Sequence, residues 1–290
     1  MKVIVAGGSG YVGKALVRSL LGDEHDVVVI SRQPSSNGSQ ARLAGWDEVT
    51  AEVDGADAVV NLAGVSIGGP RWTARRKQAI RSSRVETTRT IAAAIAAAGV
   101  KPRVFVTASG IDYYGDSGDT VVDETAPAGS SFLAHVCSEW EAAVAGAPTR
   151  HVAVRTALVV GRGATAIRLM AFPFRLFAGG PLGNGRQWFP WIHLDDLVRI
   201  YRLAIEDGAL EGPVNAVAPH QLRQREAAHD FGSVLHRPAL LPAPAVALRL
   251  LLGEQADLLL HGQRAVPSAL RGFEFRYRAL RPALGSALRA

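Results

Sequence analysis

The sequence predicts an α/β fold, a doubly wound parallel sheet followed by a smaller mixed α/β C-terminal part. Three observations carry that expectation. The β-branched run Lys2–Ala6 (KVIVA) breaks into a glycine turn, Gly7-Gly8-Ser9-Gly10-Tyr11-Val12-Gly13, and an amphipathic stretch follows over residues 14–21. Strand-like and helix-like runs then alternate up to residue 160. Right-handed crossovers turn such alternation into parallel pairing. Beyond residue 165 the pattern loosens into glycine-, proline- and aromatic-rich segments.

Taken in order, the turn and its helix lead into a second apolar run, Asp26–Ile30, which ends in Ser31-Arg32. Residues 42–46 read as a third strand and 47–53 as a short helix. The fourth strand, 58–62, closes on Asn61-Leu62-Ala63-Gly64 and enters a Gly/Pro-rich loop over 65–70. A long helix spans 73–98, with Thr73 as N-cap and Gly99 as its stop. A fifth strand, 104–107, runs into Ala108-Ser109-Gly110, and the polar stretch 112–127 reads as a loop. Ser130 or Ser131 caps the next helix, which reaches residue 144, and 152–160 is a sixth strand. The second half offers helices over 166–177, 195–205, 225–235, 245–252 and 255–262, and strand-like runs over 187–193 and 214–217. The expected units are a nucleotide-binding domain over 1–165, a substrate-side segment over 166–240 and a small helical C-terminal module over 241–290.

The glycines of the first turn point to a dinucleotide. One lets the chain turn off the strand, one lets the backbone approach phosphates without a Cβ in the way, and Gly13 lets the helix pack closely on the sheet. A helix N-terminus presented this way binds pyrophosphate through backbone N–H groups. The end of the second strand then selects the cofactor. An acidic side chain there hydrogen-bonds the ribose 2′-OH of NAD. This chain has Ser31-Arg32, and a guanidinium pairs with a 2′-phosphate, so NADP(H) is the expected cofactor. The alternative for Arg32 is an ordinary solvated surface charge.

Composition bounds the rest. With 290 residues, 48% hydrophobic and 20% charged, the chain has ample material for a core and no signature of disorder. No apolar run reaches the length of a membrane span. Met1 leads directly into the first strand, so no signal peptide is expected. The one cysteine, Cys137, excludes an internal disulfide and suits the cytoplasm. The net charge of +6 is carried by scattered arginines, without the aromatic-interleaved basic runs of nucleic-acid binders. It suits steering of an anionic cofactor and a small-molecule substrate. Neither zinc-ligand spacing nor a Gly-x-Ser-x-Gly elbow occurs, so neither a metal site nor a hydrolase is expected. The leucines of 248–252 and 258–260 either bury against their own chain or pack a homodimer.

These motifs together resemble a family. The turn over 7–13, Ser31-Arg32, Asn61-Leu62-Ala63-Gly64, Arg71-Trp72, Ser83-Arg84-Val85-Glu86-Thr87-Thr88 and Tyr113-Tyr114-Gly115 belong to the pattern. So do Trp140-Glu141, Gly185-Arg186-Gln187-Trp188-Phe189, Trp191-Ile192-His193, Asp195-Asp196-Leu197 and Gly262-Gln263-Arg264. The chain resembles, nearly end to end, the extended, atypical short-chain dehydrogenase/reductases described as nucleoside-diphosphate-sugar epimerase-like. The resemblance implies a Rossmann domain that binds NADP(H) and a smaller C-terminal part closing over the cofactor. It implies that Gly7, Ser9, Gly10, Tyr11, Val12 and Gly13 form the phosphate turn, and that Ser31 and Arg32 face the adenosine 2′-phosphate. Leu62, Ala63 and Gly64 would line the adenosine side. Arg84 would reach a cofactor phosphate, and Val160 would sit near the nicotinamide.

Typical members of that superfamily carry a Tyr, and a Lys four residues later, on the helix after the fifth strand. The Lys stabilises the phenolate. Leu133 and Cys137 stand at those positions here. The remaining candidates for proton handling are Ser109, at the end of the fifth strand, and Tyr114, whose ring could equally wall the pocket. His193 reads as structural, with Asp195 or Asp196 capping the next helix. Two functions follow. One is an NADP(H)-dependent oxidoreductase or sugar-nucleotide epimerase-like enzyme. The other is a binding protein that senses NADP(H) without chemistry.

Overall fold

Val3, Ile4 and Val5 point alternately to opposite faces, and all three are fully buried. Only a central strand covered by helices on both sides allows that. The computed structural model describes residues 1–32 and 41–288. Its first half runs β1 (Lys2–Ala6), α1 (Tyr11–Gly22), β2 (Asp26–Ile30), β3 (Arg42–Ala44), α2 (Val49–Val53), β4 (Ala58–Asn61) and α3 (Ala74–Ala97). Next come β5 (Val104–Gly110), a 3-10 turn (Ile111–Tyr114), β6 (Val121–Val122), α4 (Phe132–Ala142), β7 (Arg150–Thr156) and β8 (Leu158–Val160). The remainder is α5 (Thr165–Arg175), β9 (Trp191–His193), α6 (Leu194–Glu206), β10 (Gly212–Ala216), α7 (Gln224–Leu235) and α8 (Ala245–Leu252). A second 3-10 turn (Gly253–Ala256), α9 (Asp257–Leu260), β11 (Arg264–Ala265) and α10 (Leu280–Leu288) close the chain.

The central sheet has seven strands in the order β10-β7-β5-β4-β1-β2-β3, and every pairing is parallel. The Rossmann-type expectation holds. The chain winds one way from β1 to β2 and β3 and the other way from β4 onward. A crevice therefore opens at the carboxyl ends of β1 and β4, where such sheets bind ligands. Leu16, Leu20, Leu197 and Tyr201 from α1 and α6 cover one face. Val49, Val53, Ile91 and Ile95 from α2 and α3 cover the other. A third apolar cluster joins α5, α7 and α10 through Ile167, Phe231 and Leu284.

The structure departs from the sequence reading in several places. The sixth strand is two strands, because at Ala157 the chain leaves the sheet and β8 pairs with β9 in a separate two-stranded ribbon. The segment 166–240 is shared between layers. Its β10 is an edge strand of the central sheet and its α6 covers that sheet, so no structural boundary falls at residue 165. The helix read over 255–262 shrinks to a 3-10 turn and Asp257–Leu260. A last helix, Leu280–Leu288, was not expected, since Pro282 and Gly285 interrupt its pattern. Pro282 lies in the first turn, where a missing N–H costs nothing. Leu258 packs beside Leu133, Trp72 and Phe132, whereas Val246, Leu250 and Leu251 on α8 are exposed.

Candidate functional site

The glycine turn is built by close approach. Gly7 has φ +77°, and a Cβ there would lie 2.7 Å from the Ala63 amide nitrogen. A Cβ on Gly13 would overlap the Gly7 carbonyl oxygen and lie 2.7 Å from Gly8 Cα. Gly7 donates to the Ile30 carbonyl at 3.3 Å and Gly10 donates to the Gly7 carbonyl at 3.0 Å. The first intrahelical bond of this segment is from Lys14 N–H to the Gly10 carbonyl, 2.9 Å. The amides of Tyr11, Val12 and Gly13 precede it, so no acceptor within the helix awaits them. Gly10 caps α1 without a side chain, and Ser9, Gly10 and Tyr11 are exposed. This is a cradle of backbone donors at the positive end of a helix dipole.

The neighbouring strand ends complete the cleft. Arg32, just past β2, is exposed and makes no ion pair among the described residues. Ser31 is half-buried and its amide donates to the Ala44 carbonyl, 3.0 Å. Past β4, Asn61 Oδ1 accepts from Ala63 N–H at 3.0 Å, which sets the path of Leu62, Ala63 and Gly64. Asn61 Nδ2 donates to Thr88 Oγ1 at 2.8 Å, and Trp140 Nε1 donates to the same oxygen at 2.9 Å. The turn is thereby tied to α3 and α4. Tyr11 donates to the Arg162 carbonyl at 3.2 Å across the cleft. Burial, with the nearby Asp195 carboxylate, pushes its hydroxyl up to about 12.

Arg84 projects from α3 beneath Gly64. Its Nη1 donates to the carbonyls of Val65 and Ile80, both at 2.9 Å, and its guanidinium carbon lies 5.1 Å from the Trp140 ring centre. A Cβ at residue 64 would come 3.1 Å from that carbon, so glycine makes room for the guanidinium. Val160 is fully buried in the cluster beneath α5, α7 and α10.

At the end of β5 the hydroxyls of Ser109 and Tyr114 are both engaged by protein. Ser109 Oγ donates to Glu141 Oε1 at 2.6 Å. Arg155 donates from Nε to Oε1 and from Nη2 to Oε2 of the same carboxylate, at 2.8 and 2.7 Å. Arg155 Nη1 donates to Tyr114 Oη at 2.8 Å, and Tyr114 donates to Asn215 Oδ1 at 2.7 Å. The guanidinium carbon also sits 3.5 Å from the Tyr113 ring centre. Burial works against the Arg155 charge, but the bonds and charge of Glu141 outweigh it and raise its pKa. Burial likewise raises the Tyr114 hydroxyl, more than Arg155 lowers it. Sequence reasoning missed this network. The signal was there, in the charged Arg155 that follows Val152-Ala153-Val154 and the polar Asn215 between Val214 and Ala216.

The helix α4 places Leu133 in an apolar cluster with Ile80 and Val136, and Cys137 is buried. Burial pushes the Cys137 thiol up to about 12, so it stays protonated. Asp112, read from sequence as part of a loop, opens the 3-10 turn that follows β5. It is half-buried, and its carboxylate makes neither an ion pair nor a side-chain hydrogen bond among the described residues. His193 is structural, but it takes the role assigned to its neighbours. Its Nδ1 accepts from Asp195 N–H at 3.1 Å and caps α6, while Asp196 Oδ1 and Oδ2 accept from the amides of Arg276 and Tyr277. The imidazole stacks on Tyr277 at 3.7 Å, and burial lowers its pKa.

Residues 3–216 match the NAD dependent epimerase/dehydratase family, ending with β10. The chain belongs to that family. Residues 243–287, from just before α8 into α10, match a domain of unknown function, DUF1731. The epimerase family protein SDR39U1 of Bos taurus is 41% identical over 297 residues, covering 100% of this chain and 99% of the relative. A chloroplastic SDR39U1 homolog of Arabidopsis thaliana is 39% identical, covering 98% of this chain and 86% of the relative. The crystal structure of human epimerase family protein SDR39U1 (isoform 2) with NADPH superposes with a TM-score of 0.91 at 37% identity, covering 98% of each chain. No helix among the described residues is long and apolar enough to cross a membrane.

Proposed function

We propose that this family member binds NADP(H) along the carboxyl ends of β1, β2 and β4 and transfers hydride to or from a small or nucleotide-linked substrate, as an oxidoreductase or sugar-nucleotide epimerase-like enzyme. One observation carries the cofactor assignment: three amides without intrahelical acceptors at a side-chain-free helix cap stand beside an exposed guanidinium at the end of β2 that makes no ion pair among the described residues. The human relative crystallised with NADPH supports it.

The residues present fit the group. Gly7 and Gly13 keep the cradle clear, Ser9, Gly10, Tyr11, Val12 and Gly13 offer it backbone, and Ser31 and Arg32 face the 2′-phosphate. Leu62, Ala63 and Gly64 line the adenosine side. Arg84 Nε and Nη2 make no hydrogen bond among the described residues, which leaves them to pair with a cofactor phosphate, and Val160 backs the nicotinamide end. The cofactor, when bound, supplies or accepts the hydride. The buried, protonated Cys137 thiol suits a reducing compartment such as the cytoplasm.

NADPH oxidation against a panel of aldehydes, ketones and keto-sugar nucleotides tests the reading. Turnover of at least one substrate is expected. Tight NADPH binding with no turnover on any of them would favour a redox-sensing binding protein instead.

A further inference from the structure

The end of β5 and the 3-10 turn after it carry four side chains able to exchange a proton, Ser109, Asp112, Tyr113 and Tyr114. Two are occupied, since Ser109 donates to Glu141, and Tyr114 donates to Asn215 while accepting from Arg155. Of the other two, Tyr113 packs its ring 3.5 Å from the Arg155 guanidinium carbon, and Asp112 accepts from no side-chain donor among the described residues. We propose that Asp112 is the group that exchanges a proton with the substrate oxygen, a role that presupposes the hydride transfer proposed above.

Placement supports this. β5 is next to β4 in the sheet, and its carboxyl end opens on the same crevice as the glycine turn. Gly110, the last residue of β5, leaves space there. A Cβ on it would lie 3.4 Å from Asp112 Oδ2 and 3.5 Å from Cys137 Sγ, so the carboxylate and the thiol wall one small volume beside the strand end. The charged groups around Asp112 are Arg84 from α3 and, beyond Cys137, Glu141 from α4. Neither forms an ion pair with it. Burial is the largest influence, opposed first by a hydrogen bond from the residue's own backbone amide and then by Arg84, leaving Asp112 raised to about 6. A carboxyl poised there populates both protonation states near neutrality, which favours general acid–base work. Cys137 cannot substitute, because its thiol holds its proton.

In the reducing direction the substrate C=O gains a hydride at carbon from the bound nicotinamide and a proton at oxygen from the Asp112 carboxyl. The product is CH–OH, and the Asp112 carboxylate recovers its proton from solvent once product leaves. In the oxidising direction the carboxylate takes the hydroxyl proton as hydride leaves carbon.

Asp112→Asn keeps the shape and removes the proton. Carboxyl-labelled aspartate NMR on the full chain without cofactor is expected to show one resonance titrating near 6 that vanishes in the variant. An Asp112 resonance titrating in the ordinary range, about 4, would overturn the proposal. In turnover with NADPH, the variant should bind cofactor within about twofold of the original chain and lose activity by about 100-fold or more. Its rate should also lose the acid limb of the pH profile. Asp112→Glu, with the carboxyl on a longer arm, should retain measurable turnover with that limb displaced. An Asp112→Asn chain as active as the original refutes the role of Asp112 and leaves the hydride-transfer reading standing. An original chain that binds no NADPH, or turns over nothing, sinks both.

Discussion

Replacing Glu141 with Ala should cost this protein much of its stability. The Arg155 side chain is 4% exposed and that of Glu141 15%, so the pair is shielded from solvent. The substitution removes the acceptors of Arg155 Nε and Nη2, at 2.8 and 2.7 Å, and of Ser109 Oγ, at 2.6 Å. Leaving one charge of a buried pair without its partner costs about 3–5 kcal/mol. The orphaned Ser109 hydroxyl adds about 1 kcal/mol. A loss of about 4 kcal/mol or more is therefore expected in urea denaturation. The double variant Glu141→Ala with Arg155→Met should recover part of it, since no unpaired charge remains, with a coupling of about 2 kcal/mol. A loss below about 1 kcal/mol, the value of an exposed pair, would refute the reasoning. It would mean that the network is solvated and that Ser109 and Tyr114 are free to meet a substrate.

Gly13→Ala places a Cβ 2.7 Å from Gly8 Cα. Displacing the turn costs about 1–3 kcal/mol, so NADPH affinity should fall by about tenfold or more, and unchanged affinity would contradict the cradle. Arg32→Glu should weaken NADPH by about tenfold or more while sparing NADH, measured by fluorescence titration. Equal losses for both would return Arg32 to an ordinary surface charge. His151 hydrogen-bonds Thr107 at 2.9 Å, and burial lowers its pKa to about 4. Because the folded state resists its protonation, the stability it contributes is complete above the unfolded value of about 6.5 and is lost as pH falls toward about 4, up to about 3 kcal/mol. Urea midpoints between those pH values should decline less in His151→Gln, and an identical decline would assign the acid sensitivity to other groups.

What was legible in the sequence follows from what is local. The glycine turn, Thr73 and Ser131 announce themselves through backbone rules, and both caps are seen, accepting from Arg76 and Ala134. The apolar strands of the first half are buried on both faces, so their continuous hydrophobicity marks them as parallel core strands. The turn at Ala157 was not legible, because the apolar residues on either side of Arg155 and Thr156 read alike whether the chain stays in the sheet or leaves it. The cap of α6 was misplaced for a related reason. Asp195 and Asp196 are better caps by propensity, but Asp196 is drawn to the amides of Arg276 and Tyr277, far along the chain. The proton chemistry was hidden most deeply. Whether Ser109, Tyr114 or Asp112 is free depends on Glu141, Arg155 and Asn215, residues distant in sequence that meet only once the sheet is assembled.

The central claim is that an exposed guanidinium beside a bare helix cap selects the phosphorylated dinucleotide. Calorimetry of the purified chain with NADPH and with NADH tests it most directly. NADPH should bind at least about tenfold more tightly than NADH. NADH held as firmly as NADPH, or neither held at all, would contradict it.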